Sequence, residues 1–286
     1  MDAATAIFYL AGLCVTLAAV LALAHRILYV WEDPRIERVT DMLPGANCGA
    51  CGVPGCRAFA ERVVEGDLQP GQCPVGGVDT ATLVAGYLGV EAGSQERMVA
   101  RLLCAGGLDV AYQQGTYEGL SSCRGAAMIA GGPKACTYGC LGLADCEVSC
   151  TFDAIRMAPN GLPVVDFEAC TGCSDCVTAC PKDLFEMYPA RRKLVVQCKS
   201  LMEGDTALNT CAVACTGCGL CVADAPDDLM SMEMTLPVID TARLDLETAI
   251  ATYRCPTNSI VWMEDQQFET LHRDLFATTN TDIAHV

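Results

Sequence analysis

The hydrophobic pattern along this chain changes character once, near residue 25. From Ala3 to Ala24 the sequence reads AATAIFYLAGLCVTLAAVLALA, 22 positions without a charge, followed by His25, Arg26 and the aromatics Tyr29 and Trp31. As a helix this run is about 33 Å long, enough to cross a bilayer core. A cleaved signal peptide is the rival reading, but its basic leading region is missing and Asp2 stands in its place. Arg26, Arg35 and Arg38 follow the run and no Lys or Arg precedes it, which puts the carboxyl-terminal part on the cytoplasmic side. Cys14, inside the run, reads as a small apolar residue. Beyond the anchor the apolar stretches are short. Arg57 to Glu65 and the run VDTATLVAGYLGV suggest helices, EAGSQER a polar hinge, and ARLLCAG, TFDAIRM, PKDLFEM and LVVQCKS short strands, so an α+β fold is expected.

Composition changes the picture through cysteine. The 286 residues hold 21 cysteines and only 3 histidines, and most of the cysteines fall in closely spaced groups. Such grouping points to metal-binding thiolates more than to a disulfide framework, and thiolate centres of this kind need a reducing compartment. Zinc and iron–sulfur clusters are the candidates. The net charge of -17 excludes the basic surface that nucleic-acid binding requires and suits a basic protein partner. No glycine-rich nucleotide fingerprint follows a strand, and the histidines at 25, 272 and 285 offer no nucleophile–base pair. The chain should therefore carry no bond-making site of its own.

Three groups of four cysteines stand out, with a fourth that is degenerate. Cys48, Cys51, Cys56 and Cys73 have the spacing C-x2-C-x4-C-x16-C, in which a glycine-rich loop grips three corners of a cluster and the helix after it returns the fourth. Zinc is the rival ligand, but zinc sites usually split their cysteines into two pairs. Cys136, Cys140, Cys146 and Cys150 form one run, and Cys170, Cys173, Cys176 and Cys180, before Pro181, form another. In a two-cluster ferredoxin the last cysteine of each run crosses to the other cluster. The expected ligands are then Cys136, Cys140, Cys146 and Cys180 for one [4Fe-4S] cluster, and Cys170, Cys173, Cys176 and Cys150 for the other.

The segment CTGCGLCVADAPDDLM, 215–230, repeats CTGCSDCVTACPKDLF, 170–185, except that Ala225 replaces the last cysteine. Leu244, Glu247 and Ile250 fall where three more cysteines would stand, and Cys255 before Pro256 falls near the fourth. One cluster is lost whole, and its partner keeps Cys215, Cys218, Cys221 and Cys255. The helix-forming segment LDLETAIATY should fill the vacated volume with Leu244 and Ile250. Cys255 as an ordinary buried cysteine is the bland alternative. Cys104, Cys123, Cys198 and Cys211 are left over, as core thiols, local disulfides or a further cluster. The expected division is an anchor at 1–31, the first cysteine module at 32–77, a connecting helix and hinge at 78–100, a two-cluster ferredoxin-like unit at 101–197, a one-cluster unit at 198–264 and a tail at 265–286.

The order of anchor, C-x2-C-x4-C-x16-C module and ferredoxin repeats, with ACTYGCLGLADCEVSC and CTGCSDCVTACP, resembles the B subunit of the Rnf complex, the membrane-bound ferredoxin:NAD oxidoreductase, in its longer, anaerobe form. The resemblance implies an electron-carrying subunit in the cytoplasmic membrane that takes electrons from reduced ferredoxin and passes them to flavin-bearing and membrane subunits of an ion pump. Four [4Fe-4S] clusters are expected, with the route running from the carboxyl-terminal clusters to the Cys48–Cys73 cluster near the membrane. A polyferredoxin subunit of another membrane oxidoreductase and an iron–sulfur redox sensor are the alternatives.

Overall fold

The computed structural model describes residues 3–28, 32–94 and 96–276. Tyr29 and Trp31, read above as interfacial aromatics, lie outside these residues. Helix α1, Ala3–Leu28, carries the apolar run; its Phe8–Ile27 window has a mean hydropathy of 2.0 and none of it is buried against protein.

The first cysteine module is a small helical cage. Helix α2, Pro34–Met42, starts where the Asp33 carboxylate accepts the Arg35 amide, with Pro34 pre-set for the first turn. Helix α3, Cys56–Glu65, stops at Gly66 in the left-handed conformation (φ 89°). Val39 of α2, Phe59, Ala60 and Val63 of α3 and Val84 of α4, Gly77–Leu88, bury together against Cys73.

Two similar units follow, each with an outer strand pair and an inner hairpin. In the first, β1, Met98–Leu102, pairs antiparallel with β4, Phe185–Pro189, so that Leu102 faces Phe185, and β2, Ile155–Met157, pairs with β3, Pro163–Val165. Between them lie the short helices α5, Cys123–Ala127, α6, Asp145–Ser149, and α7, Asp175–Ala179. In the second, β5, Leu194–Val196, pairs with β8, Ile260–Trp262, and β6, Met230–Glu233, pairs with β7, Leu236–Ile239, with α8, Gly204–Leu208, and α9, Leu220–Asp224, between. The strands take Val, Ile, Leu and Met on their buried faces, as half-buried pleated surfaces favour.

The units are tied by polar groups that would be costly to leave unpaired. Gln267, 1% exposed, accepts the Leu102 amide at 3.0 Å and donates to the Leu102 carbonyl at 2.6 Å, so the segment after β8 closes on β1. Phe268 packs into the core of the first unit, and α10, Glu269–Phe276, follows. The start of the expected tail is therefore part of the first unit's packing. Arg101 donates to the carbonyls of Ala190 and Arg192 and lies 3.8 Å over the Phe167 ring. Burial, then the like charge of Arg192, lowers its pKa to about 10, which still leaves it charged at neutral pH.

The segment LDLETAIATY departs from expectation. It forms two 3-10 stretches, Thr241–Leu246 and Ala249–Thr252, and not one helix. The cause is Glu247, held extended (φ -57°, ψ 135°) because its carboxylate accepts the amides of Lys193 and Leu194 at 2.9 and 3.4 Å and pairs with Arg192 at 3.4 Å. Ile250 is consequently 54% exposed and Leu244 only partly buried, so neither fills the core as expected; Leu246 and Ala251 pack there instead.

Removing one partner of a buried ion pair leaves the other charge uncompensated. Glu247→Ala should destabilise the protein by about 3–5 kcal/mol in anaerobic denaturant unfolding followed by circular dichroism. Glu247→Gln, which can still accept the two amides, should cost less. Equal stability of wild type and Glu247→Ala would contradict this role.

Candidate metal centres

The Cys48 loop is shaped by glycines. Gly49, Gly52 and Gly55 have φ of 72°, 85° and 101°, and a Cβ on Gly55 would lie 2.9 Å from Asn47 Oδ1. That oxygen accepts the Cys56 amide at 2.9 Å, fixing the loop against the start of α3. Cys48, Cys51, Cys56 and Cys73 then line one space together with Phe59. Burial pushes the Cys73 thiol up, opposed by a hydrogen bond from the Gly76 amide.

In the first ferredoxin-like unit the two cysteine runs share one backbone shape. Gly142 and Ala144 have φ of 72° and 66°, and Gly172 and Ser174 have 75° and 69°, each pair leading into a short helix. Both glycines press on a neighbouring backbone: a Cβ would meet the Gly161 carbonyl oxygen at 2.8 Å in one and that of Met98 at 2.8 Å in the other. This register sets Cys140 with Cys170 and Cys146 with Cys176. It leaves Leu143, and not a cysteine, at the place of Cys173.

Cys123 of α5 lies beside this loop. Cys123, Cys140, Cys146 and Cys180 line one space, and Cys136 is not among its lining residues. The amides of Asp145 and Leu143 donate to the Cys123 sulfur, whereas in the other run the amide of Asp175 donates to Cys173. Cys123 is thus presented to the loop whose own position holds leucine. Asp145 secures it, accepting from the Ser122 hydroxyl at 3.2 Å and the Arg124 amide at 3.1 Å. Burial, then neighbouring Cys104, raises the Cys140 thiol to about 12.

Cys180 joins the Cys140 group, and Cys150 lies beside Cys173 and Cys176. Burial, then the neighbouring Cys170, Cys173 and Cys150, raises Cys176 to about 12.

In the second unit Gly217 and Gly219 (φ 69° and 71°) repeat the loop shape, with Cys218 at the place of Cys173. Cys215, Cys218, Cys221 and Cys255 line one space. At Cys255 burial raises the thiol, but hydrogen bonds from the Ser259 hydroxyl and from the Ile260 and Thr257 amides outweigh it and hold the pKa at about 7.

Cys136 lines a different cavity, together with Cys104, Cys198 and Cys211. A sequence signal for Cys123 does exist: CLGLADC laid on CTGCSDC without a gap aligns both outer cysteines and the glycine, and shows the absent thiol.

All 21 cysteines are free thiols. Among the described residues no group of three or more His, Cys, Asp or Glu side chains converges as one metal ion would need. Four sulfurs on one zinc lie only about 3.8 Å apart, given a Zn–S bond of ~2.3 Å. Thiols that ring a space suit a multi-iron cluster better than a single ion, and the all-sulfur donor set is the one iron–sulfur cubanes take.

Comparison with known proteins agrees with this chemistry. Residues 43–75 match the family described as "Putative Fe-S cluster", and residues 161–182 match "4Fe-4S binding domain". The chain is 41% identical over 244 residues to the B subunit of the Na(+)-translocating ferredoxin:NAD(+) oxidoreductase complex of Acetobacterium woodii, spanning 84% of this chain and 72% of that protein. It is 41% identical over 243 residues to the proton-translocating counterpart of Clostridium ljungdahlii, spanning 84% and 86%. The B subunit of the ion-translocating oxidoreductase complex of Methanosarcina acetivorans is 39% identical over 157 residues, 55% of this chain and 60% of that protein. With four cysteines around one space at the first matched segment and relatives of this identity across most of their length, the chain belongs to the family of B subunits of the ion-translocating ferredoxin:NAD oxidoreductase, or Rnf, complexes.

Proposed function

We propose that this chain is the iron–sulfur electron-transfer subunit of such a complex, tethered by α1 in the cytoplasmic membrane with the cysteine-bearing units in the cytoplasm. The observation that carries the reading is the interleaving of the middle cysteines, in which Cys180 reaches the Cys140 group and Cys150 reaches the Cys176 group. That exchange brings two cluster sites side by side, as an electron conduit requires. The relatives act in complexes that are ferredoxin:NAD(+) oxidoreductases, so reduced ferredoxin is the proposed donor and flavin-bearing and membrane subunits the proposed acceptors. Relatives of equal identity belong to one Na(+)-translocating and one proton-translocating complex, so we assign the choice of ion to other subunits.

The proposed ligand sets are Cys48, Cys51, Cys56 and Cys73; Cys123, Cys140, Cys146 and Cys180; Cys150, Cys170, Cys173 and Cys176; and Cys215, Cys218, Cys221 and Cys255. The second set replaces Cys136 with Cys123. A [4Fe-4S] cluster bound at each supplies one-electron redox chemistry and no bond-making step. The chain's residues exclude water, aim amides at the sulfurs and adjust local charge. Arg101 acts electrostatically on Cys170 and is buried, so it favours the more negative, reduced state of that site. Arg57 of α3, in the Cys48–Cys73 module, pairs with Glu32 at 2.5 Å, four residues beyond the end of α1 in sequence.

Two measurements test these assignments. Cys123→Ala should lose about four iron atoms per chain, and adding Leu143→Cys should restore them by returning the thiol to the loop. Full iron content in Cys123→Ala would contradict the set. Ser259→Ala, which removes a hydroxyl hydrogen bond to Cys255, should lower the potential of one cluster by about a few tens of millivolts in an EPR-monitored titration, where ~59 mV is tenfold for one electron. An unchanged set of potentials would contradict Cys255 as a ligand.

A further inference from the structure

Four cysteines outside these sets meet at the seam between the two ferredoxin-like units. Cys104 follows β1, Cys198 follows β5, Cys211 follows α8, and Cys136 precedes the Cys140 loop. They line one space, as the three sets above whose spaces are described line theirs. Cys104, Cys136 and Cys211 are 7%, 8% and 5% exposed.

The backbone treats these sulfurs as it treats those of the assigned sites. The amide two residues on donates to the sulfur at Cys104 (from Gly106), Cys198 (from Ser200) and Cys211 (from Val213). The same step recurs at Cys140 with Gly142, Cys173 with Asp175, Cys215 with Gly217 and Cys255 with Thr257. An ordinary core thiol needs no such arrangement.

Two further features call for an anion in this space. Lys134 lines it and is 3% exposed; its ammonium donates to the Gly106 carbonyl at 2.6 Å and pairs with no carboxylate among the described residues. A buried charge without a counter-charge is expensive, and a thiolate-bound cluster supplies net negative charge. Gly106 also keeps the space open: a Cβ there would lie 3.2 Å from the Cys211 sulfur and 3.6 Å from that of Cys104.

We propose that Cys104, Cys136, Cys198 and Cys211 hold a fifth [4Fe-4S] cluster, a site that rests on the iron–sulfur reading above and extends it. Its position gives it a role. The Cys140 amide donates to the Cys104 sulfur at 3.5 Å, and the Cys215 amide donates to the Cys198 sulfur. The site therefore stands between the Cys123–Cys180 set and the Cys215–Cys255 set, joining the second unit to the first. Every cysteine except Cys14 of the apolar helix then belongs to a set of four.

The test is native mass spectrometry of the anaerobically purified full-length chain in detergent, with iron, zinc and acid-labile sulfide assayed on the same sample. The proposal expects about 20 iron atoms per chain, falling by about four in Cys211→Ala and in Cys198→Ala. About 16 iron atoms in wild type and in both variants would overturn the fifth site and leave the other four standing. One zinc per chain that disappears in the variants would overturn it as well. A wild-type chain with no iron would sink the electron-carrier reading itself. The wild-type mass decides the question even if a variant does not fold.

Discussion

A buried thiolate is unstable on its own, and this protein buries many of them close together. Burial raises the thiols of Cys73, Cys140, Cys176 and Cys198, and each is raised further by neighbouring cysteines. Without a cation the groups would remain protonated and the spaces they ring would be poor cores. The strands around them are three to five residues long, too short to supply a large hydrophobic core. Iron bound by these sulfurs turns binding energy into folding energy, as in other small metal-dependent domains. Cys180 beside Cys140, and Cys150 beside Cys176, bring the two halves of the first unit together.

Much of this was readable from spacing. The apolar helix, the helix after Cys56, the connecting helix and the crossing of Cys150 and Cys180 follow from local patterns, because each is set by residues close in sequence. The placement of Cys123 beside Cys140, Cys146 and Cys180 was not, since it comes from another helix and its only local trace is the leucine at 143. Cys136, expected at the start of the Cys140 run, instead lines the space shared with Cys104, Cys198 and Cys211, because its distance from Cys140 in sequence says nothing of which strands it packs beside. Sequence spacing reports loops well, and it is blind to thiols delivered from elsewhere.

The second unit shows what stands where Leu244, Glu247 and Ile250 replace the cysteines that a full repeat would have. Helix propensity in LDLETAIATY suggested that apolar residues would fill the volume. A carboxylate at 247 instead reaches back to the start of β5 and to Arg192, and that demand breaks the helix and turns Ile250 outward. Tertiary polar pairing overrode local propensity there. Its surviving site keeps the loop shape of the first unit, with Gly217 and Gly219 in the left-handed region.

The central claim is that interleaved sets of four thiolates, Cys123 among them, enclose iron at the heart of the two units. Anomalous diffraction at the iron edge from anaerobic crystals tests it most directly. Strong iron peaks should lie inside the ring of Cys123, Cys140, Cys146 and Cys180 and inside that of Cys150, Cys170, Cys173 and Cys176. Rings empty of iron, or a peak bound through Cys136 with Cys123 turned away, would contradict the account.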